Sequence, residues 1–141
     1  YDKDNLIRLT SLIREKQPDI IYLPHRHESH PDHRETFNLF TEAARRAGGP
    51  WFQECGAEPW TAKSILCYEV WPPIREVVHV EDITDFMEAK IEALRRHSSQ
   101  TGEIPYDEAA RALNRFRGIT TGRGRYCECY EVLSMRGLEY V

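Results

Sequence analysis

The segment "QPDIIYLPHRHESHPDHRETF" constrains the fold more than any other part of the sequence. Its apolar run, Ile20 to Leu23, lies between Pro18 and Pro24 and is too short for a helix, so it reads as a short buried strand. Upstream, Leu6, Leu9, Leu12 and Ile13 recur at helical spacing until Pro18 stops the pattern. Downstream, Pro31 suits the first position of a helix whose opening acids, Asp32 and Glu35, complement the helix dipole. That helix is expected to run to about Arg46 and to end before "GGP". Helix, strand, loop and helix in this order demand layers.

The remaining chain continues the alternation. "AKSILCYEVW", closed by Pro72 and Pro73, and "REVVHVEDI" are strand candidates. Asp82 or Thr84 is expected to cap a helix through "DFMEAKIEALRRHSSQ", with Ile83, Phe86, Met87, Ile91 and Leu94 on one stripe and His97 continuing it as a packing histidine. "YDEAARALNRFRG" predicts a helix ending at Gly118, and "YCECYEVL" a final strand after the glycine-rich "GITTGRGR". The pattern predicts an α/β fold, a Rossmann-like layered and largely parallel sheet flanked by helices. With 141 residues, 40% of them apolar, a single domain over 1–141 with a modest core is expected.

Charge and thiols narrow the class. A net charge of -4 lacks the positive field that a sequence-independent nucleic-acid binder needs. No apolar run approaches the roughly 20 residues that span a bilayer, and the charged opening "YDKDNLIR" is no secretory signal. A soluble, cytoplasmic protein without nucleic-acid or membrane partners is the expectation. Cys55, Cys67, Cys127 and Cys129 contain no CxxC pair and read as reduced thiols, the last two sharing one strand face as small buried side chains.

Four of the six histidines (His25, His27, His30 and His33) fall in the loop that follows the first strand. In layered α/β sheets, ligands bind beyond the carboxyl ends of strands, which is where this loop lies. His30 is at or next to the helix N-cap and His33 is in the first turn. Helical steps from His33 reach Phe37, Phe40 and Ala44, an apolar face that packs on a sheet, so His33 is expected to point inward. An inward imidazole with a second three residues earlier suits a metal ligand beside an acid or electrophile, and Asp32 can fix one ring's tautomer. One imidazole is not a site, because catalytic zinc normally takes three protein ligands. The other reading is a solvated loop, which His25 and His27 fit best, since no helical face aims them.

"HPDH", after a strand and opening a helix, preceded by "IREKQPDIIYLP", resembles the second signature of the zinc-dependent N-acetylglucosaminyl deacetylases of the PIG-L/LmbE family. "DITDFMEAKIEALRRHSSQ" is similar to the helix ending in Ser-Gln of the branch that deacetylates glucosaminyl-malate in bacillithiol synthesis, and "YCECYEVL" to its closing Tyr-Ala-Glu-Ala-Phe strand. The resemblance covers most of the chain. It implies hydrolysis of the N-acetyl group of a small-molecule amino-sugar conjugate, with one zinc ion (Zn2+) per site and His33 as a ligand. It implies that His30 is the catalytic histidine, stabilising the oxyanion or protonating the leaving amine, with Asp32 orienting it. It also makes a homo-oligomer plausible.

The family's first signature, a His-Pro-Asp-Asp-like motif, is not in this chain, which has no Asp-Asp pair and whose only His-Pro pair is His30-Pro31. The expectation is therefore the C-terminal portion of a LmbE-like domain without its N-terminal strand or strands. Its other zinc ligands and its general base are expected upstream of Tyr1, leaving this segment inactive alone. Two rivals stay open: a non-catalytic metal-binding or assembly module, and a degenerate or different metal-dependent hydrolase.

Three residues are further candidates for substrate binding. Glu128 shares a strand face with Tyr126 and Tyr130 and, by the resemblance, lies near the substrate crevice. Its alternative is a solvated edge glutamate. Arg117 stands among Arg111, Arg115, Arg123 and Arg125, and a guanidinium suits an anionic aglycone such as malate, the alternative being a charged surface face. Trp51, Trp60 and Trp71 read as packing aromatics or as sugar-stacking ones.

Overall fold

The structure, a computed structural model, describes residues 1–56 and 58–135. Helix α1 (Lys3–Lys16) begins where the Asp2 carboxylate accepts the Asn5 backbone N–H at 2.8 Å. It ends at Gln17, which takes a left-handed conformation (φ 48°) and donates its backbone N–H to the Ile13 carbonyl at 2.9 Å, with Pro18 beyond it unable to continue the helix. The chain then enters β1 (Ile20–Pro24), which pairs in parallel with β2 (Ser64–Tyr68), from Ile20 opposite Ser64 to Pro24 opposite Tyr68. Strand β4 (Cys127–Met135) runs antiparallel to β2 with a register irregularity between Ile65 and Leu66. With β3 (His79–Asp82), the strand order is β1-β2-β4-β3. The expected parallel pairing is that of β1 with β2, and the sheet as a whole is mixed.

The described residues form two compact units, one of Tyr1–Glu76 with the chain from Tyr130, the other of Val77–Cys129. In the first, Ile21 and Leu23 of β1 join Leu6, Ile13, Ala43, Ala47, Ala62 and Cys67 in the core, with Phe37, Phe40 and Ala44 packed against it. Helix α2 (Pro31–Ala47) thus buries the face expected of it. Ala43 and Ala47 have no exposed surface, and residues that small leave room for α1 alongside. Burial pushes the Cys67 thiol up to about 12, in keeping with an unreactive core thiol, and all four cysteines are free.

A buried arginine ties this unit together. Arg14 of α1 is 4% exposed. Its Nε donates to the Ala47 carbonyl at 3.2 Å, its Nη1 to Phe52 at 3.1 Å, and its Nη2 to Arg46, Gly49 and Trp51 at 3.2, 2.9 and 2.7 Å. The last carbonyls of a helix have no partner within it. Here one planar guanidinium supplies partners for the end of α2 and for the turn that follows.

In the second unit, Ile83, Met87 and Ile91 form a core with Ala110 and Tyr126. The long helix expected after Asp82 is divided into a 3₁₀ turn (Thr84–Phe86), α3 (Met87–Arg95) and α4 (Ser98–Thr101). Asp82 does hold its start, accepting the Thr84 backbone N–H at 2.9 Å. His97, expected to pack, is exposed in the break between α3 and α4. Helix α5 (Tyr106–Thr121) continues past Gly118 and ends at Gly122, whose φ of 66° is left-handed. Gly118 serves proximity instead, since a Cβ there would stand 2.5 Å from the Arg125 carbonyl oxygen and 2.6 Å from that of Gly124. Cys127 and Cys129 are buried, as their shared face predicts. No helix among the described residues is long and apolar enough to cross a membrane.

Two substitutions test these contacts. Arg14→Lys keeps the charge but loses the fork, and is expected to lower stability by about 2–4 kcal/mol, read as a lower denaturation midpoint at unchanged slope. Gly118→Ala, a change that ordinarily gains up to about 1 kcal/mol in a helix, is expected to cost about 1–3 kcal/mol here because backbone must shift.

Candidate active site

The two parallel strands end together, and the His25 backbone N–H donates to the Tyr68 carbonyl at 3.2 Å, one step beyond the β1–β2 ladder. The segments that follow β1 and β2 therefore run side by side. The first leads into α2. His30 is the N-cap, in extended conformation, and its Nδ1 accepts the Asp32 backbone N–H at 3.2 Å. The Asp32 carboxylate stands 3.9 Å from the same nitrogen and its side chain is 88% exposed. His33 follows in the first turn, its ring centroid 5.1 Å from that of His30.

Behind the His33 ring lies a residue that sequence reasoning passed over. The Glu28 side chain is fully buried. Its Oε2 is 2.7 Å from His33 Nδ1, and its Oε1 accepts the Trp71 backbone N–H at 3.0 Å and lies 3.3 Å from His25 Nε2. The same His25 nitrogen is 3.0 Å from the Pro72 carbonyl, which can only accept, so Nε2 carries the proton. The Glu28 backbone N–H donates to the His25 carbonyl, and the Arg34 guanidinium to the carbonyls of Glu28 and Ser29 at 3.1 and 2.6 Å. Burial and then the Glu28 charge raise the Tyr68 phenol above its usual range, holding it protonated at neutral pH.

This arrangement overturns the reading of His25 as a solvated loop residue: it is 2% exposed and braces Glu28 against the loop after β2. Its partner carbonyl is 47 positions away in sequence, so nothing local announced the contact. His27 is exposed, with its ring centroid 6.4 Å from that of His25. The one available signal for Glu28 was that it and Asp32 are the two acids among four imidazoles.

His33 keeps 30% of its side chain exposed while its Nδ1 is held. Its remaining nitrogen, Nε2, suits a metal ligand, and His30 stands beside it. Among the described residues, no group of three or more His, Cys, Asp or Glu is arranged to hold a metal ion. The donor set here amounts to one imidazole of fixed orientation with a second ring next to it. Nearby in the same unit, Arg26 pairs with Glu131 at 2.5 Å and its guanidinium lies 5.9 Å from the Phe37 ring centroid.

In the second unit, Glu128 Oε1 is 2.5 Å from Lys90 Nζ, Tyr126 carries the Arg125 guanidinium 5.4 Å from its ring centroid, and Arg117 is 8% exposed in α5. Arg111 makes a two-pronged pair with Glu88 at 2.6 and 2.8 Å. Trp60 packs on the first core and donates from Nε1 to the Pro18 carbonyl at 2.9 Å. Trp51 carries the Arg45 guanidinium 4.9 Å from its ring centroid. Trp71 has a half-exposed ring, while its backbone serves Glu28.

Comparison with known proteins places this geometry in context. No family model matches the chain. It is 33% identical over 110 residues to a diacetylchitobiose deacetylase of Thermococcus kodakarensis, covering 73% of this chain and 40% of that protein. The N,N'-diacetylchitobiose deacetylase of Pyrococcus horikoshii, solved with an inhibitor, is 30% identical with a TM-score of 0.80 over 94% of this chain and 52% of its own. A conserved protein from Thermus thermophilus (TM-score 0.82, 22% identity, 94% of this chain and 59% of its own) has the same fold. So does a 4-carboxy-2-hydroxymuconate hydratase from Pseudomonas putida (TM-score 0.79, 22% identity, 100% of this chain and 62% of its own). The chain thus spans between 40% and 62% of the length of these relatives. By its identity to deacetylases and by its fold, the chain belongs to the LmbE-like deacetylase family that its motifs resemble.

Proposed function

We propose that this chain is part of a zinc-dependent enzyme that hydrolyses the N-acetyl group of an N-acetylglucosamine conjugate. The observation that carries the reading is the pairing of His33 with a fully buried carboxylate at the carboxyl ends of two parallel strands. Carboxylate-backed histidines are a recurrent feature of metal sites. The identity to diacetylchitobiose deacetylases supports an acetylated amino sugar as the substrate class.

In this reading His33 is one ligand of a zinc ion, and the remaining ligands come from outside the described residues, since catalytic zinc normally takes three protein ligands. Bound zinc supplies Lewis-acid polarisation of the amide carbonyl and acidifies water. His30, half-exposed at the N-cap, is the proton donor: with Nδ1 accepting the Asp32 N–H, its Nε2–H donates to the carbonyl oxygen as negative charge builds there in the tetrahedral state and passes a proton to the departing amine. The N-terminus of α2 points its partial positive charge at the same place. Asp32 acts through the His30 ring, to which it already presents its backbone N–H.

In the full-length enzyme, His33→Ala is expected to lose zinc, measured by metal analysis of the purified protein, and with it activity. His30→Ala is expected to retain zinc and to lower kcat by about 10²–10³-fold on N,N'-diacetylchitobiose or another N-acetylglucosamine conjugate. Stoichiometric zinc in His33→Ala, or wild-type turnover in His30→Ala, overturns the assignment.

A further inference from the structure

We propose that Glu28 is a positioning residue whose buried carboxylate holds the His33 proton on Nδ1, leaving the Nε2 lone pair as the donor to metal. The inference rests on the reading of His33 as a ligand and extends it to a residue that lies outside the HPDH motif. Glu28 Oε2 and His33 Nδ1 are 2.7 Å apart, and the glutamate side chain has no exposed surface, so water does not compete for the carboxylate. A carboxylate accepts and does not donate, which makes Nδ1 the protonated nitrogen.

The carboxylate has no freedom to turn away. Its other oxygen accepts the Trp71 backbone N–H at 3.0 Å and lies 3.3 Å from His25 Nε2, whose proton is required by the Pro72 carbonyl at 3.0 Å. Both of those partners are set by the loop that follows β2. Two N–H groups, those of His33 and Trp71, thus converge on one buried carboxylate from fixed directions, with the His25 ring packed beside it.

The same geometry determines what an amide would do in its place. In Glu28→Gln the amide oxygen must face the Trp71 N–H, because turning the NH2 towards it opposes donor to donor at a buried position. The NH2 then faces His33 Nδ1, which has to accept. The imidazole proton moves to Nε2 and the lone pair on that nitrogen is lost. A size-matched change that leaves the packing intact therefore inverts the tautomer, an effect that a purely structural role for Glu28 does not produce.

The test is nitrogen-15 NMR of histidine-labelled full-length protein prepared without metal, together with zinc titration of the same samples. Wild type is expected to show His33 protonated on Nδ1, and Glu28→Gln to show it on Nε2, with zinc affinity reduced by about 10–100-fold. A His33 proton on Nε2 in wild type overturns the proposal, and this result stands even if the variant fails to fold. An unchanged tautomer in Glu28→Gln overturns it as well. So does an inverted tautomer with unchanged zinc affinity, while loss of zinc in His33→Ala then leaves the ligand assignment standing. Zinc retained by His33→Ala instead overturns the ligand assignment itself, whatever Glu28 does to the ring.

Discussion

Glu28 puts a carboxylate where no solvent reaches it, and such a group is tolerated only when the protein supplies the hydrogen bonds that water would have made. The two N–H groups that do so come from different stretches, His33 from the first turn of α2 and the Trp71 backbone from the loop after β2, and the His25 ring, from the loop after β1, packs 3.3 Å from the same carboxylate. Moving either donor leaves a buried polar group unpaired, at about 1–3 kcal/mol or more when the group is charged. The three stretches are therefore held to one arrangement, and the histidine loop, which lacks regular structure of its own, inherits the rigidity of two strands and a helix.

Helix α2 is fixed by opposite charges at its two ends. Near its N-terminus stands Glu28, reached through His33 and through Arg34, which donates to the Glu28 and Ser29 carbonyls. At its C-terminus Arg14 inserts a guanidinium among the final carbonyls and those of the following turn. Both signs are the ones the helix dipole favours, negative at the amino end and positive at the carboxyl end. Between them the buried face of Phe37, Phe40, Ala43, Ala44 and Ala47 fixes how the helix packs. The orientation of His30 and His33 therefore depends on core packing as much as on the loop that precedes them.

Much of this was legible in the chain. Pro18, Pro24 and Pro31 bound β1 and open α2 as expected, because proline acts through local geometry that no distant contact reverses. The apolar period after His33 correctly gave the buried face of α2. Local rules failed where one residue served two purposes. Gly118 looked like a helix stop but provides close approach to the chain at Gly124 and Arg125, so α5 runs on to Gly122. The stripe through Ile83, Met87 and Ile91 was sound, yet the helix breaks before His97, which leaves that ring exposed.

The sequence by itself determined the α/β alternation, the strand that precedes the histidine loop and the identities of His30, Asp32 and His33 at the start of a helix. These follow from periodicity, proline and capping, all of which act within a few residues. Only the tertiary structure decided which of the four imidazoles are buried, and that an unremarked glutamate links two of them. The reason is distance along the chain: Trp71 and Pro72 lie more than 40 positions from the residues they hold, and only the parallel pairing of β1 with β2 brings them alongside. A buried carboxylate is specified by the donors around it, and those donors are a property of the fold.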